Sequence, residues 1–195
     1  MLTELLHLIV SVPRVYDALQ KLAGRDRIYP WLATYFTEFS GRVVLDVGGG
    51  TGELVRILPP TATYVWLDND VQKLKGLQRK VKEARALLGD ASCIGLKEKS
   101  VDIAVCIAMA HHLTDAQLGE MLQELARICR LKLILLDPVT HHSAVSRLLW
   151  KYDRGSYPRT IDELRSHIVR HFVISSEARN SVYHHYWLCA AVPRA

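Results

Sequence analysis

The stretch VLDVGGGTGEL, residues 44–54, places an aspartate inside an apolar run and follows it with three consecutive glycines. The run VVLDV (43–47) is typical of a strand that is buried on both faces, as in a parallel sheet. Glycine adopts positive φ angles and lets another molecule approach the main chain closely. The pattern therefore predicts a strand that turns sharply into a short helix, with a ligand held against the backbone of the turn.

The spacing of the glycines argues against a dinucleotide as that ligand. In the fingerprint G-x-G-x-x-G, Gly48 and Gly50 match the first two glycines, but Glu53 occupies the third position and Gly52 comes one place early. A carboxylate is unfavourable next to a pyrophosphate, and Asp46 is not part of that fingerprint. The loop is better suited to an uncharged or cationic ligand, so a nicotinamide-dependent oxidoreductase is the less favoured alternative.

Strand and helix patterns alternate along most of the chain. Helical spacing of apolar residues predicts N-terminal helices up to residue 39, and a helix that opens with a capping box at Thr160–Glu163. Further strands are expected at 63–68, 92–94, from 101 and at 132–137, with helices over 71–88 and 118–129. Such alternation implies right-handed crossovers and an open parallel sheet.

Two final apolar segments, 172–178 and 181–192, flank Arg179-Asn180 and predict a hairpin with its turn at that pair. The predicted fold class is therefore α/β, a doubly wound, Rossmann-like, mostly parallel sheet with a C-terminal antiparallel hairpin and N-terminal helices. We expect residues 1–40 to form a helical lid or cap and residues 41–195 to form the main domain.

Composition and charge narrow the class of protein. The 195 residues are 49% hydrophobic and carry a formal net charge of +5. No apolar run approaches the ~20 residues of a membrane span, and Glu4 without a basic leader argues against a signal peptide. We expect a cytoplasmic protein. The basic cluster between Lys73 and Arg85 is interpreted as the solvated face of a helix, so nucleic acid or anionic membrane contact is permitted but not required.

Carboxylates stand where predicted strands end or begin. Ligands of open α/β sheets bind beyond the carboxyl ends of the strands. Asp68 ends the second strand and can accept hydrogen bonds from both hydroxyls of a ribose. Asp46 and Asp90 have structural alternatives when taken singly, as a cap of the loop and as the end of a turn. The placement of all three carboxylates at strand ends is not expected by chance.

These segments resemble the class I S-adenosylmethionine (SAM)-dependent methyltransferases, and among them the type 11 methyltransferase domain. VLDVGGGTG resembles the first motif of that family, and WLDND resembles the acidic end of its second strand. GDASCIGLKEKSVD corresponds to the run from an adenine-side aspartate to the fourth strand, and IAVCIAMAHHL to a stretch that ends in His-His-Leu. The resemblance covers about residues 42–137 and implies an enzyme that uses SAM and releases S-adenosylhomocysteine (SAH).

The resemblance also implies roles for individual residues. Asp68 would hold the ribose hydroxyls, with Asn69 near the adenine. Asp90 and Ala91 would flank the adenine ring, Ile107 would lie beside the methionyl chain, and the glycines would line the methionine part. The full set of implied cofactor residues is Asp46, Gly48, Gly50, Asp68, Asn69, Asp90, Ala91 and Ile107.

Histidines that follow the predicted strands are the candidates for catalysis. Methyl transfer from a sulfonium mainly requires that a nucleophile is held in line with the methyl group, so a base is optional. His111 and His112 are the predicted catalytic residues, and the alternative is that they cap or pack beneath the next helix. Asp137 and His141 could converge with them on a metal ion. The spacing fits no ligand motif, however, so no metal site is predicted.

The predicted acceptor is a small organic molecule, methylated at oxygen, nitrogen or carbon. Amino-methyltransferases that modify bases carry an Asn or Asp-Pro-Pro-aromatic motif after the fourth strand, where this chain has AHHL (110–113), so a nucleic acid partner is not expected. A lipid headgroup or RNA acceptor, or a non-catalytic SAM-binding or interaction protein, are the alternatives. Peripheral membrane contact is allowed but not indicated, and the chain is expected to be a monomer or homodimer. Candidates for acceptor contact are Tyr16, Tyr29, Tyr152, Arg154 and Tyr157.

Overall fold

The computed structural model describes residues 25–81, 84–140, 150, 157–182 and 185–194. The strands in these ranges are β1 Val43–Val47, β2 Thr63–Asp68, β3 Arg85–Leu88, β4 Val101–Ile107, β5 Cys129–Val139, β6 Phe172–Ser181 and β7 His185–Pro193. They form one seven-stranded sheet in the order β3-β2-β1-β4-β5-β7-β6. Strands β1 to β5 pair in parallel. The predicted mostly parallel, Rossmann-like sheet is confirmed.

Helices connect the parallel strands. The α-helices are α1 Arg25–Ala33, α2 Val71–Lys80, α3 Asp115–Ile128 and α4 Ile161–Ile168, and short 3-10 helices cover Thr37–Phe39, Glu53–Arg56 and Ala110–His112. The capping box predicted at the start of α4 is present: Thr160 Oγ1 accepts a hydrogen bond from Glu163 N (3.2 Å), and the Glu163 carboxylate accepts one from Thr160 N (2.7 Å). No helix in the described part of the chain is long and apolar enough to cross a bilayer.

Alternate residues of β1 face two different cores, as expected when side chains alternate across a strand. Leu45 packs in a cluster with Met121 and Leu125 of α3. Val44 packs in a second cluster with Leu32 and Phe36. The sheet is therefore covered on both faces, which is the doubly wound arrangement.

The N-terminal helices predicted before residue 25 lie outside the described residues. Ile28, Leu32, Phe36 and Phe39 are buried in the same cluster as residues of β1 and β2. The first described helix thus packs directly on the sheet, and the division into a lid (1–40) and a main domain (41–195) stays a prediction.

The C-terminal hairpin is confirmed, but its turn is not where we expected it. Strand β7 pairs antiparallel with both β5 and β6, so it lies between them. The pairing of β6 continues through Arg179 and Asn180, opposite Trp187 and Tyr186, to Ser181. The predicted turn at Arg179-Asn180 is therefore wrong. This part of β6 lies on the outer strand of the sheet, where polar residues meet solvent and resemble a turn in sequence.

The third strand also differs from the prediction. The helix expected over 71–88 ends at Lys80, and Arg85–Leu88 forms β3 instead. The strand expected at 92–94 is absent, since those residues form a loop. Apolar positions such as Ala84 and Leu88 fit a helical period, but the open edge of β2 offers hydrogen bonds that this segment completes in parallel pairing. Sheet pairing outweighed local periodicity here.

Candidate functional site

A cleft lies at the carboxyl ends of β1, β2 and β4, where open α/β sheets bind ligands. Its cavity measures about 490 Å³. Seven of the predicted site residues line it: Gly48, Gly50, Asp68, Asn69, Asp90, Ala91 and His112. The cleft is thus continuous from the glycine turn, past the end of β2, to the loop that follows β3.

The glycine turn adopts the backbone conformation that the sequence predicted. Gly48, Gly50 and Gly52 have φ angles of +67°, +52° and +77°, a region that side chains with a Cβ atom disfavour. Gly49 N donates a hydrogen bond to Leu67 O (3.0 Å), which holds the turn against the end of β2. The turn therefore presents main chain, rather than side chains, to the cleft.

Three alternate residues of β2 hold the turn in place. Tyr64 Oη donates to Asp46 Oδ2 (2.7 Å), and Trp66 Nε1 donates to Gly50 O (2.9 Å). Asp68 Oδ2 accepts from Gly50 N (2.9 Å). Sequence reasoning did not predict the roles of Tyr64 and Trp66. The signal available was their spacing of two, which places polar atoms on one face of a strand.

The Asp68 carboxylate is fixed at the rim of the cleft. Its second oxygen, Oδ1, accepts from Asp70 N (3.0 Å). Burial raises the pKa of Asp68 above its usual range, while the hydrogen bonds from Asp70 N and Gly50 N and the charge of Lys73 lower it. Because a carboxylate offers about four acceptor positions, two remain for the hydroxyls of a ligand.

Asp46 and Ile107 lie beneath the cleft surface. Asp46 is 4% exposed and is bonded to the Tyr64 hydroxyl. Ile107 is partly buried and packs against the core cluster that contains Trp66. Asp46 therefore supports the turn from below, in line with the alternative in which it caps the loop. Direct contact of either residue with a cofactor stays a prediction.

At the far end of the cleft, Asp90 organises the loop after β3. Its Oδ1 accepts hydrogen bonds from Ser92 N (2.8 Å) and Ser92 Oγ (2.9 Å), so the aspartate closes a local turn. Ala91 is 6% exposed, while Asn69 is exposed. All three residues predicted to lie near an adenine thus line the cleft, and their role toward it stays a prediction.

The end of β4 packs tightly against the glycine turn. A Cβ atom at Gly48 would lie 2.6 Å from Met109 Cγ, so this position has no room for a side chain. The neighbouring Ala108 has a φ of +49°, which is uncommon for a residue other than glycine. Both Ala108 and Met109 line the cleft. Strained backbone of this kind often lies at functional sites.

The two predicted catalytic histidines have different environments. His111 is 3% exposed, and its Nδ1 lies 3.0 Å from Oδ1 of the buried Asp137. His112 is exposed, lines the cleft, and lies with its ring centroid 4.2 Å from that of His111. The edge of Trp150 faces the His111 ring at 5.7 Å. His112 is therefore placed to touch a ligand, and His111 supports it.

Several other predicted residues are placed elsewhere or not described. Tyr16, His141, His142, Tyr152 and Arg154 lie outside the described residues. Tyr29 lines a second cavity of about 310 Å³ together with Asp26, Pro30, Glu53, Arg56 and Ile57. Across the part of the chain that the structure describes, no three His, Cys, Asp or Glu side chains are grouped to hold a metal.

Lys73 departs from the interpretation of its basic cluster as a solvated helix face. Lys73 is 8% exposed and lines the cleft, and its charge lowers the pKa of Asp68. Lys75 and Arg79, farther along α2, are exposed as expected. The first turn of α2 therefore contributes to the site, while the later turns face solvent.

Burial of Asp46 gives a testable dependence of stability on pH. Burial raises the pKa of Asp46 to about 7, despite the opposing hydrogen bond from Tyr64. Since the unfolded value is about 3.9, the stability from this group is fully present below about pH 4 and lost as the pH rises through about 7. Asp46→Asn retains an acceptor for the tyrosine hydroxyl and does not titrate. As the pH rises from about 4 to about 7, we expect the free energy of unfolding of Asp46→Asn to increase relative to that of the wild type. Urea denaturation at several pH values measures this difference.

The matched control is Asp102→Asn, because Asp102 is likewise a strand carboxylate that accepts a hydrogen bond, in its case from Val43 N (2.9 Å), but it lies at the opposite end of the sheet. A difference between Asp46→Asn and wild type that stays constant from about pH 4 to about pH 8 would contradict this assignment.

Comparison with known proteins gives a family for the central part of the chain. Residues 44–132 match a family model described as a methyltransferase domain. This span runs from β1, through the glycine turn and both walls of the cleft, into β5. The match therefore includes most of the cleft.

Two curated relatives share their sequence with part of the chain. The tRNA (carboxymethyluridine(34)-5-O)-methyltransferase of Arabidopsis thaliana is 31% identical over 123 residues, covering 61% of this chain and 30% of the relative. The mouse tRNA (carboxymethyluridine(34)-5-O)-methyltransferase ALKBH8 is 31% identical over 125 residues, covering 61% of this chain and 18% of that protein. The chain thus spans less than a third of the length of either relative.

These relatives overturn one prediction. We expected a small-molecule acceptor and no nucleic acid partner, but both named relatives are tRNA methyltransferases. The predicted partner is therefore wrong. The missing Asn or Asp-Pro-Pro-aromatic motif concerns transfer to base amino groups, whereas these names specify an oxygen.

Solved structures share the fold. A methyltransferase of Haloferax volcanii, in complex with the Trm112 methyltransferase activator, superposes with a TM-score of 0.75 at 15% identity, covering 94% of this chain and 98% of that one. The magnesium protoporphyrin IX methyltransferase ChlM of Synechocystis PCC 6803, with bound SAH, gives a TM-score of 0.69 at 20% identity, covering 87% and 81%. At these identities the likeness shows the fold alone.

Proposed function

We propose that this chain, whose residues 44–132 match a methyltransferase domain, is a class I S-adenosylmethionine-dependent methyltransferase that methylates a carboxylate oxygen on a modified uridine of tRNA. The observation that carries the use of SAM is the glycine turn with Asp68 fixed beside it in a cavity of about 490 Å³. The acceptor class is supported by the two tRNA methyltransferases that share 31% identity with the chain.

The cleft fits SAM in size and in chemistry. Its volume of about 490 Å³ is within the range of small-molecule and cofactor sites. Asp68 would accept from the ribose hydroxyls, because two of its acceptor positions are not used by Gly50 and Asp70. The buried Ala91 offers an apolar wall to the adenine, and the backbone of Gly48 and Gly50 leaves space for the methionine part.

A carboxylate acceptor would not need a dedicated base. When bound, SAM would supply a methyl group on a positively charged sulfur, and the bond from that methyl to the acceptor oxygen would form as its bond to sulfur breaks, which leaves SAH. A carboxyl group with a pKa of about 4 is already ionised near neutral pH, so no side chain has to remove a proton. His111 is bonded to the buried Asp137, and His112 would then orient the acceptor.

The charge of the chain is compatible with a polyanionic partner. The formal net charge is +5. Exposed Lys75 and Arg79 on α2 and exposed Arg85 on β3 follow the cleft residue Asp70 along the chain. Exposed basic side chains attract polyanions over a Debye length, so this charge is compatible with a nucleic acid acceptor.

The proposed function is tested by following label from methyl-labelled SAM into tRNA. The substrate is tRNA whose wobble uridine carries a free carboxymethyl group, and the control is the same tRNA already esterified there. We expect label only in the first, and release of that label as methanol by mild alkali, because the product is an ester. Alkali-stable label, or no transfer by a protein that binds SAH, would overturn the proposed acceptor.

Replacing His112 separates a carboxylate acceptor from one that needs a base. Loss of a general base costs about 10²–10⁴-fold in rate. We therefore expect His112→Ala to lower kcat by less than about 100-fold, with the Kd for SAH nearly unchanged, as measured by label transfer and calorimetry. His171→Ala, at a half-buried position beyond α4, is the control. A larger fall with His112→Ala would indicate proton removal and a hydroxyl or amine acceptor.

A further inference from the structure

We infer that Arg159 is a positioning residue, which holds the 110–113 turn so that His112 lines the cleft and can contact the acceptor. Neither the sequence motifs nor the matched span 44–132 includes this residue. The inference rests on the proposed function for the meaning of that placement. Its structural part, the control of the His111 and His112 rings by Arg159, can be measured without any acceptor.

The Arg159 guanidinium uses all five of its N–H groups. Nη1 donates to Ala110 O (2.9 Å) and Tyr157 O (3.3 Å), and Nη2 donates to Leu113 O (2.7 Å). Nε and Nη2 donate to Asp115 Oδ1 at 2.9 and 2.8 Å. Because an arginine has five such donors and Arg159 is 5% exposed, all of its donors are used within the protein and the side chain does not itself reach a substrate.

The turn is held between two opposite charges. Ala110 N donates to Asp137 Oδ1 (3.1 Å), while Ala110 O accepts from Arg159 Nη1. The same Asp137 oxygen binds His111 Nδ1. Charge-assisted hydrogen bonds are about twice as strong as neutral ones. Rotation of the peptide before Ala110 would break its bond to Asp137, and rotation of the peptide after Ala110 would break its bond to Arg159, so the direction of the following residues is fixed.

The backbone around Arg159 completes this arrangement. Tyr157 N donates to His111 O (3.0 Å), and Arg159 O accepts from Thr140 N (2.9 Å). The segment before α4 therefore joins the turn to the end of β5. The exposed Asp115 belongs to the first turn of α3, and its hydrogen bond to Arg159 holds its pKa below the usual range. Arg159 thus links the 110–113 turn to the start of α3 and to the end of β5.

Lysine at this position would retain the charge but not the geometry. An ammonium group has three donors and lacks the planar fork that meets two carbonyls and a carboxylate at once. The matched control is Arg165→Lys, because Arg165 makes a two-point contact with Glu177 (3.0 and 2.9 Å) on α4 and β6. Both substitutions keep the net charge, and only Arg159→Lys alters contacts with the turn.

The test records ¹H–¹³C spectra of protein labelled in its histidine rings, assigned with His111→Asn and His112→Asn. We expect Arg159→Lys to shift or broaden the His111 and His112 signals and Arg165→Lys to leave them unchanged. We also expect kcat for methyl transfer to fall by about tenfold or more, while the Kd for SAH changes by less than about threefold. A purely structural role would lower kcat and raise the Kd for SAH together.

Unmoved histidine signals in Arg159→Lys would overturn the inference, and so would a parallel fall in kcat and in SAH affinity. If Arg159→Lys fails to fold, Asp115→Asn serves instead, since it alters one partner of the guanidinium at an exposed site and leaves the three carbonyl contacts. It should give smaller shifts of the same signals, and no shift would again overturn the inference. If Arg159→Lys shifts the ring signals but the wild-type protein does not methylate tRNA, the proposed acceptor is wrong and the role of Arg159 is unaffected.

Discussion

Replacing Asp68 with alanine is expected to weaken SAH binding by about 100-fold or more. Hydrogen bonds to a charged group contribute about 1.5–3 kcal/mol each, and the substitution would remove the carboxylate that accepts them from the ribose hydroxyls. It would also leave Gly50 N and Asp70 N without their acceptor, so the glycine turn would lose one of its supports. Isothermal titration calorimetry of the variant and the wild type measures the change.

Asp102→Ala is the control for this prediction. Asp102 likewise accepts a backbone hydrogen bond, from Val43 N, but it lies at the start of β4, away from the cleft. We expect its SAH affinity to match the wild type. Asp68→Ala binding within a few-fold of wild type would show that the carboxylate does not hold the ligand.

Adding one methyl group at Gly49 is expected to damage both stability and binding. A Cβ atom there would lie 2.5 Å from Trp66 Cδ1 and 2.8 Å from Asp46 Oδ2. Trp66 is fully buried, so its indole cannot move without losing the bond to Gly50 O. Overpacking of this kind costs about 1–3 kcal/mol. We expect Gly49→Ala to unfold at a lower urea concentration than the wild type and to lose most of its affinity for SAH.

The matched substitution is Gly119→Ala. Gly119 lies within α3, and a Cβ atom there would meet nothing within 4 Å. Alanine in a helix is favoured over glycine by about 0.5–1 kcal/mol, so this variant should be more stable than wild type and bind SAH equally. Equal behaviour of the two alanine variants would show that the turn tolerates a side chain and that its glycines are not required.

The sheet could be predicted because its central strands carry strong local signals. VVLDV and TYVWLD are apolar on both faces, and the glycines mark where the first crossover begins. The edge strand β3 could not be predicted in the same way. Its four residues are mostly exposed, and their spacing also fits the end of a helix, so only pairing with β2 decides the outcome.

The residues of the site divide in a similar manner. Gly48, Gly50 and Asp68 were predicted from local motifs, and they line the cleft. The groups that hold them are distant in sequence: Trp66 reaches Gly50 across 16 residues, and Arg159 reaches Ala110 across 49. No local pattern specifies such contacts. They arise only when the sheet aligns the ends of its strands.

The acceptor was the largest error, and its cause is chemical. The absence of an Asn or Asp-Pro-Pro-aromatic motif excludes one reaction, transfer to a base amino group. On that ground we favoured a small-molecule acceptor and kept RNA only as an alternative. A carboxylate on a modified uridine requires neither that motif nor a base, so the sequence around His111 and His112 contains no information against it.

Titration of the wild-type protein with SAH tests most directly whether the cleft beside Asp68 is a cofactor site. We expect saturable binding at one site with micromolar affinity, together with a rise in unfolding temperature, because a ligand that binds only the folded state stabilises that state. Absence of both heat and thermal shift at millimolar SAH would contradict it.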